Sequence, residues 1–230
     1  MKVILLAGGL GTRLSEYTKT IPKPMIKIHG KPLLLHIMKQ YAKYGFKDFY
    51  IALGYKGEVI KKFFSKKFFD WNINLIETGK NTMTGGRLKR IKKFIGNETF
   101  MMTYGDGLSN VNLKNLLKFH KKNKKLVTLT AVRPPARFGA LQLKGKMVSY
   151  FKEKSRNDEN WINGGFFVME PEFFKSIKND NTILERKPLE NVARKKQLAA
   201  FKHEGFWQCM DTKKDMDILS KILNNKKIKF

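Results

Sequence analysis

Apolar and polar positions follow two alternating rhythms along the first 132 residues. Residues 2–7, Lys-Val-Ile-Leu-Leu-Ala, form a continuous apolar run of the kind a strand covered on both faces requires, and 49–53, 73–78, 99–104 and 126–132 repeat it. Between these runs the apolar residues fall at helical spacing, over 32–44 with a stop at Gly45, then over 58–64, 86–95 and 112–122. Strand, helix, strand repeated in this order predicts a parallel sheet with right-handed crossovers. Beyond Pro134-Pro135 the rhythm changes. Residues 138–143 and 146–151 read as strands joined by a Gly-Lys turn, 162–168 as a further strand reached through a polar loop over 155–160, and 188–195 and 213–223 as closing helices. The pattern predicts an α/β fold with a Rossmann-like, mostly parallel sheet flanked by helices and a small antiparallel insertion. A single domain over 1–230 is expected, with a core at 1–132, a second part at 133–212 and a C-terminal helix at 213–230.

The first strand runs directly into Gly8-Gly9-Leu10-Gly11-Thr12-Arg13, with Lys23 following between Pro22 and Pro24. Glycines at the carboxyl end of a buried strand leave backbone N–H groups unobstructed, so phosphate oxygens can approach the main chain. Two familiar phosphate motifs fail here. No glycine stands three residues after Gly11, as a dinucleotide fingerprint needs, and no Gly-Lys pair is followed by serine or threonine, as a P-loop needs. A second candidate is Asp106, set between Gly105 and Gly107 at the end of the 99–104 strand, where small neighbours admit a hydrated cation. Asp211 is a third, following an apolar segment and preceding the last helix. It reads equally as a metal ligand or as that helix's N-cap.

Composition changes the picture in two ways. The formal net charge of +28 suggests a polyanion partner, but 39 of the 47 basic residues are lysines scattered along nearly every helix, and no nucleic-acid-binding module is visible. Dispersed lysine reads as solvated faces, so neither a specific nucleic acid nor a membrane is expected as a partner. The single cysteine, Cys209, excludes an internal disulfide framework, the four histidines lack zinc-ligand spacing, and no apolar run reaches the ~18 residues of a membrane span. A soluble, cytoplasmic protein is expected.

Seven stretches together carry a family likeness. They are Leu6-Ala-Gly-Gly-Leu-Gly-Thr-Arg-Leu-Ser15, Lys23-Pro-Met25, Thr82-Met-Thr-Gly-Gly-Arg-Leu-Lys-Arg90, Thr103-Tyr-Gly-Asp-Gly107, Arg137-Phe-Gly-Ala-Leu141, Trp161-Ile-Asn-Gly-Gly-Phe-Phe167 and Gly205-Phe-Trp-Gln208 with Met210-Asp-Thr212. The chain thereby resembles the sugar-phosphate nucleotidylyltransferases, and the third and sixth stretches point to their cytidylyl branch. The resemblance implies reaction of CTP with α-D-glucose 1-phosphate to give CDP-glucose and pyrophosphate, assisted by Mg²⁺, at the head of a deoxysugar route to surface polysaccharide. It implies Arg13 and Lys23 as catalytic residues, and Leu6, Ala7, Gly8, Gly9, Gly11, Thr12, Asn81, Gly86 and Gly105 with those two cations as the nucleotide site. Gly139, Glu153, Lys154, Asn163 and Gly164 would bind the sugar phosphate, with the antiparallel insertion as acceptor site, and Asp106 and Asp211 would hold the metal. Glu153 and Lys154 also read as ordinary surface residues. Nearby alternatives are a thymidylyl- or uridylyltransferase on another sugar 1-phosphate, or a nucleotide-sugar-binding protein without turnover. A homo-oligomer is implied, but the family carries a longer segment for oligomer contacts where this chain has only Ser65 to Leu75, which counts against the usual hexamer. Ser155 stands where a proline is common.

Overall fold

Strand β1 (Lys2–Leu6) sends Val3 and Leu5 to one face of a sheet and Ile4 and Leu6 to the other, and all four are buried. Both faces must therefore be covered, and they are. The computed structural model describes residues 1–65, 70–134, 140–152 and 161–224. After β1 come α1 (Ser15–Thr18), the short pair β2 (Lys27–Ile28) and β3 (Lys31–Pro32), α2 (Leu33–Lys43), β4 (Asp48–Leu53), α3 (Gly57–Phe64), β5 (Asn72–Glu77) and α4 (Thr84–Ile95). Then follow β6 (Phe100–Tyr104), β7 (Gly107–Ser109), α5 (Leu113–Asn123), β8 (Val127–Val132) and the ribbon β9 (Ala140–Lys144) with β10 (Met147–Lys152). The chain continues through β11 (Ile162–Met169), α6 (Lys187–Arg194), β12 (Leu198–His203), β13 (Trp207–Cys209) and α7 (Lys213–Asn224). No helix among the described residues is long and apolar enough to cross a membrane.

Seven strands form the main sheet in the order β12-β8-β11-β6-β1-β4-β5. One face carries α2, α3, α5 and α7 through Leu34, Ile37, Ile60, Leu116 and Leu219; the other carries α4, α6 and the 3₁₀ turn Pro171–Ser176 through Leu88, Ile91, Val192 and Phe173. The mostly parallel, helix-flanked architecture expected from the sequence is thus present. Two details differ from that expectation. Residues 162–169 do not extend the small ribbon but lie inside the main sheet, antiparallel to both β6 and β8, so β8 is not the direct neighbour of β6. A register shift between Asn163 and Phe167 accommodates this, with Gly165 at φ +78° where Tyr104 leaves no room for a Cβ. The second difference is edge strand β12, half exposed and without clean alternation, which periodicity does not reveal.

The topology leaves a crevice at one end of the sheet. From β1 the chain adds β4 and β5 on one side, then returns to place β6 on the other, opening a crevice beyond the carboxyl ends of β1 and β6.

Candidate active site

The loop leaving β1 is held open from beneath. Tyr55 N donates to Gly8 O at 3.1 Å and Leu14 N to Gly11 O at 3.0 Å. Gly11 adopts φ +65°, and a Cβ there would stand 2.9 Å from the Lys23 Cβ. The glycine therefore lets the stem of Lys23 lie against the loop. Gly9 has no atom within 4 Å of a Cβ position and faces open space. Beneath Gly8 lies a residue that sequence reasoning missed as a functional group. Arg87 of α4 is buried, its Nη1 donating to Gly79 O at 2.7 Å, Thr78 Oγ1 at 2.8 Å and Leu53 O at 3.1 Å, and its Nη2 to Gly8 O at 2.9 Å and Lys80 O at 3.2 Å. One guanidinium thus ties together the segments after β1, β4 and β5. Burial, aided by Arg90, lowers its pKa, yet a guanidinium keeps its proton at any working pH.

The centre of the crevice is a cluster of charge. Lys23, in the 3₁₀ turn Lys23–Met25, places its Nζ 2.8 Å from Asp106 Oδ2 and 2.8 Å from Asp211 Oδ1. Arg13 Nη1 donates to the other oxygen of Asp211, and the Cys209 thiol reaches the same oxygen at 3.6 Å. Burial opposes the charge on Lys23, but the two carboxylates outweigh it and hold its pKa above the ordinary lysine value. Burial likewise opposes the charge on Asp211, and Lys23 and Arg13 overcome it, so its pKa is depressed. Burial and the neighbouring Asp211 push the Cys209 thiol up to about 12, which makes it a poor nucleophile.

Two short strands bring the remote carboxylates together. Gly105 N donates to Leu6 O at 3.1 Å, β7 pairs with β13, and Met210 N donates to Asp106 O at 2.8 Å, so Asp106 just before β7 meets Asp211 just after β13. The alternative role of Asp211 as helix cap is taken by others. Thr212 Oγ1 accepts from Asp215 N at 3.2 Å, while Asp215 Oδ2 accepts from Thr212 N at 2.8 Å and Asp211 N at 3.0 Å, a reciprocal capping box. The Asp211 carboxylate is left facing the crevice. Its oxygen and that of Asp106, each 2.8 Å from one nitrogen, are no more than 5.6 Å apart. Two carboxylates at that separation, already gathered around a cation, suit Mg²⁺, which takes few protein oxygens and leaves other positions to phosphate and water. No cluster of three or more His, Cys, Asp or Glu suited to a metal occurs among the described residues.

A cleft of about 820 Å³ spans this centre, lined by Leu6, Ala7, Gly8, Gly9, Gly11, Thr12, Arg13, Lys23, Asn81, Gly105, Asp106 and Asp211. Gly86, expected beside Asn81, is not among the residues lining this cleft, although Thr84 and Arg87 on either side of it are. It is buried where α4 meets the 179–182 loop, its N–H donating to Thr182 O at 3.2 Å, and a Cβ on it would stand 2.3 Å from Asp180 O. Its position is dictated by packing against that loop. A second cleft of about 330 Å³ adjoins the first and contains Asn163 and Gly164 together with Tyr104, Asp106 and Asp211. Trp207 Nε1 donates to Gly164 O at 2.7 Å and Asn163 Oδ1 accepts from Gly165 N at 2.9 Å. Gly139, Glu153 and Lys154 lie outside the described residues. Tyr104, which lines both clefts, and Glu185, which lines the larger one, were also missed.

The chain is similar to known proteins over most of its length. A family model described as nucleotidyl transferase matches residues 2–216. The chain is 47% identical over 238 residues to glucose-1-phosphate cytidylyltransferase of Salmonella typhimurium, covering 94% of this chain and 93% of that protein. It is 30% identical over 231 residues to mannose-1-phosphate guanyltransferase of Saccharomyces cerevisiae, covering 96% of this chain and 63% of that one. Among solved structures, HddC from Yersinia pseudotuberculosis superposes with a TM-score of 0.77 at 24% identity over 96% of this chain and 99% of that one. A UDP-glucose pyrophosphorylase does so with 0.77 at 18% identity over 98% and 99%. These two likenesses show the fold. With the family model spanning most of its length and a relative at 47% identity, the chain belongs to the nucleotidyl transferase family.

Proposed function

We propose that this chain transfers the cytidylyl group of CTP to α-D-glucose 1-phosphate, giving CDP-glucose and pyrophosphate. The observation that carries the reading is the convergence of Lys23, Arg13, Asp106 and Asp211 beside an open glycine loop, in a chain 47% identical to a glucose-1-phosphate cytidylyltransferase. An oxygen of the sugar phosphate attacks the α-phosphorus of CTP, and the bond to the bridging β-phosphate oxygen breaks, so pyrophosphate leaves with that electron pair. The attacking oxygen is already ionised, and no general base is required. The barrier is the approach of one anion to another, which preorganised cations lower best where water is excluded.

The Gly8 to Thr12 backbone and Arg13 hold the β- and γ-phosphates and receive the charge of departing pyrophosphate. Lys23, kept protonated by its two carboxylates, serves the α-phosphate. Asp106 and Asp211 would hold Mg²⁺, which when bound would supply positive charge against the phosphates. Asn163, Gly164 and the undescribed Gly139, Glu153 and Lys154 receive the sugar phosphate. A homo-oligomer belongs to the same reading. Leu141, Leu143, Val148 and Phe151 share one face of the β9–β10 ribbon, each more than half exposed. In a chain of charge +28 an uncharged face is where a second copy docks without like-charge repulsion. The substrates place the reaction in the cytoplasm. Pyrophosphate release, measured with each of four nucleoside triphosphates against several sugar 1-phosphates with and without Mg²⁺, tests the assignment. Release is expected with CTP and glucose 1-phosphate and to vanish on chelation. Comparable turnover with UTP or TTP, or binding without product, overturns it.

A further inference from the structure

Three carboxylates line the larger cleft, and one of them is out of keeping with a site for a polyanion. Asp106 and Asp211 are neutralised by Lys23 and Arg13. Glu185 is not: among the described residues no lysine or arginine forms an ion pair with it, and its partners are two neutral hydroxyls. Tyr104 OH donates to Oε1 at 2.6 Å and Thr84 Oγ1 to Oε2 at 2.7 Å, while Leu184 N donates to Thr84 Oγ1 at 2.9 Å and Asn163 Nδ2 reaches the tyrosine oxygen at 3.4 Å. The carboxylate is thus pinned in one orientation, and a lone pair on each oxygen stays free for a ligand.

An acceptor-only group beside a bound triphosphate repels it unless it meets a donor on the nucleotide. CTP carries such donors in its ribose hydroxyls and in the amino group at position 4 of the base; UTP and TTP have a carbonyl at that position. Glu185 is bonded to Thr84 at the start of α4, in the same short segment as Asn81, and both line the cleft on that side. We infer that Glu185 reads the base: its carboxylate accepts from the 4-amino group of cytosine and repels the 4-carbonyl of uracil and thymine. The inference rests on the cytidylyl reading above. Tyr104, whose hydroxyl donates to Glu185 Oε1 at 2.6 Å, is a positioning residue for the carboxylate.

The test is kcat/KM for CTP, UTP and dCTP, each with glucose 1-phosphate and Mg²⁺, in wild type, Glu185→Gln and Tyr104→Phe. A glutamine keeps the shape and can turn its amide to donate to a carbonyl. Glu185→Gln is expected to lower the CTP-to-UTP ratio roughly 10–100-fold, by losing CTP and not UTP, with Tyr104→Phe intermediate. Equal losses on CTP and UTP with dCTP spared would assign Glu185 to the ribose and overturn the inference. A change confined to KM for the sugar phosphate, or a lower Tm with the ratio intact, overturns it as well. Failure of the wild type to use CTP at all would instead sink the function proposed above, and this inference with it.

Discussion

Gly8, Gly9 and Gly11 after β1 and Gly85 and Gly86 at the start of α4 stand in equally glycine-rich stretches, yet the space around them differs. At Gly9 a side chain would meet nothing within 4 Å; at Gly86 it would stand 2.3 Å from the backbone oxygen of Asp180, and at Gly85 2.7 Å from that of Thr182. Gly9 leaves its side of the loop open to a ligand. Gly85 and Gly86, like Gly8 and Gly11, leave room for the protein's own atoms. Arg87, one residue on from Gly86, joins the two stretches, because its guanidinium fills the place where a Cβ of Gly8 or Gly54 would sit. A change at Gly9 should therefore be read in catalysis, and changes at the start of α4 in folding.

The largest effect is expected on the catalytic side, at Lys23. Lys23→Met should lower kcat/KM about 10²–10³-fold, the usual cost of removing one preorganised charge from a site of this kind. It should also destabilise by about 1.5–3 kcal/mol at neutral pH, since Asp106 and Asp211 are left facing each other. Asp211 has a depressed folded pKa, so its contribution is present above the unfolded carboxylate value near 3.9 and lost as pH falls through the folded one. Lys23 has a raised folded pKa, so its contribution is full below the ordinary lysine value and lost as pH rises through the folded one. Urea midpoints of wild type and variant should stay apart from about pH 4 to pH 10 and converge below that window. A gap that persists unchanged into acid would remove the carboxylates from this account.

Gly86→Ala comes next and should act on stability. The added methyl group meets main chain, which cannot swing aside, and the cost should be about 1–3 kcal/mol despite alanine's better helix propensity. The folded fraction should keep its KM for CTP within about twofold, a bound well under the roughly 1 kcal/mol that a lost ligand hydrogen bond carries. A large rise in KM with an unchanged urea midpoint would show that Gly86 touches the nucleotide after all, and the contrast between the two segments would fail.

How much of this was legible in the sequence follows from the range of the interactions. β1, β4, β5, β6 and the helices between them are written locally, as apolar runs and helical spacing that need only neighbours to be read. The glycine loop and Asp106 were legible for the same reason, each standing at a strand end with characteristic flanks, and Lys23 by its place between Pro22 and Pro24 shortly after the loop. Asp211 stayed ambiguous because its role turns on whether Thr212 and Asp215 take over the cap, which only geometry decides. Arg87 and Glu185 were missed because their partners are distant: Gly8 is 79 residues from Arg87, and Thr84 is 101 from Glu185. One local signal for Arg87 did exist. It is four residues before Ile91 on the buried face of α4, where an arginine has to find carbonyl partners.

The smallest and most discriminating change is Gly9→Ala. Its backbone does not require glycine and no neighbour obstructs a methyl group, so the folded protein should lose nothing; reduced freedom of the unfolded chain should even add a few tenths of a kcal/mol. The methyl group would instead occupy the open side of the loop, where phosphate oxygens approach backbone N–H groups. Losing one such charged hydrogen bond is worth about 1.5 kcal/mol, so KM for CTP should rise roughly tenfold. The sugar phosphate, bound in the adjoining cleft, should be unaffected in KM. Gly9→Ala and Gly86→Ala make the same chemical change in one protein, and opposite outcomes in urea melts and nucleotide KM are what the comparison demands. A Gly9 variant that melts early while binding CTP normally would mean that the loop, like the start of α4, is glycine for the sake of its own packing.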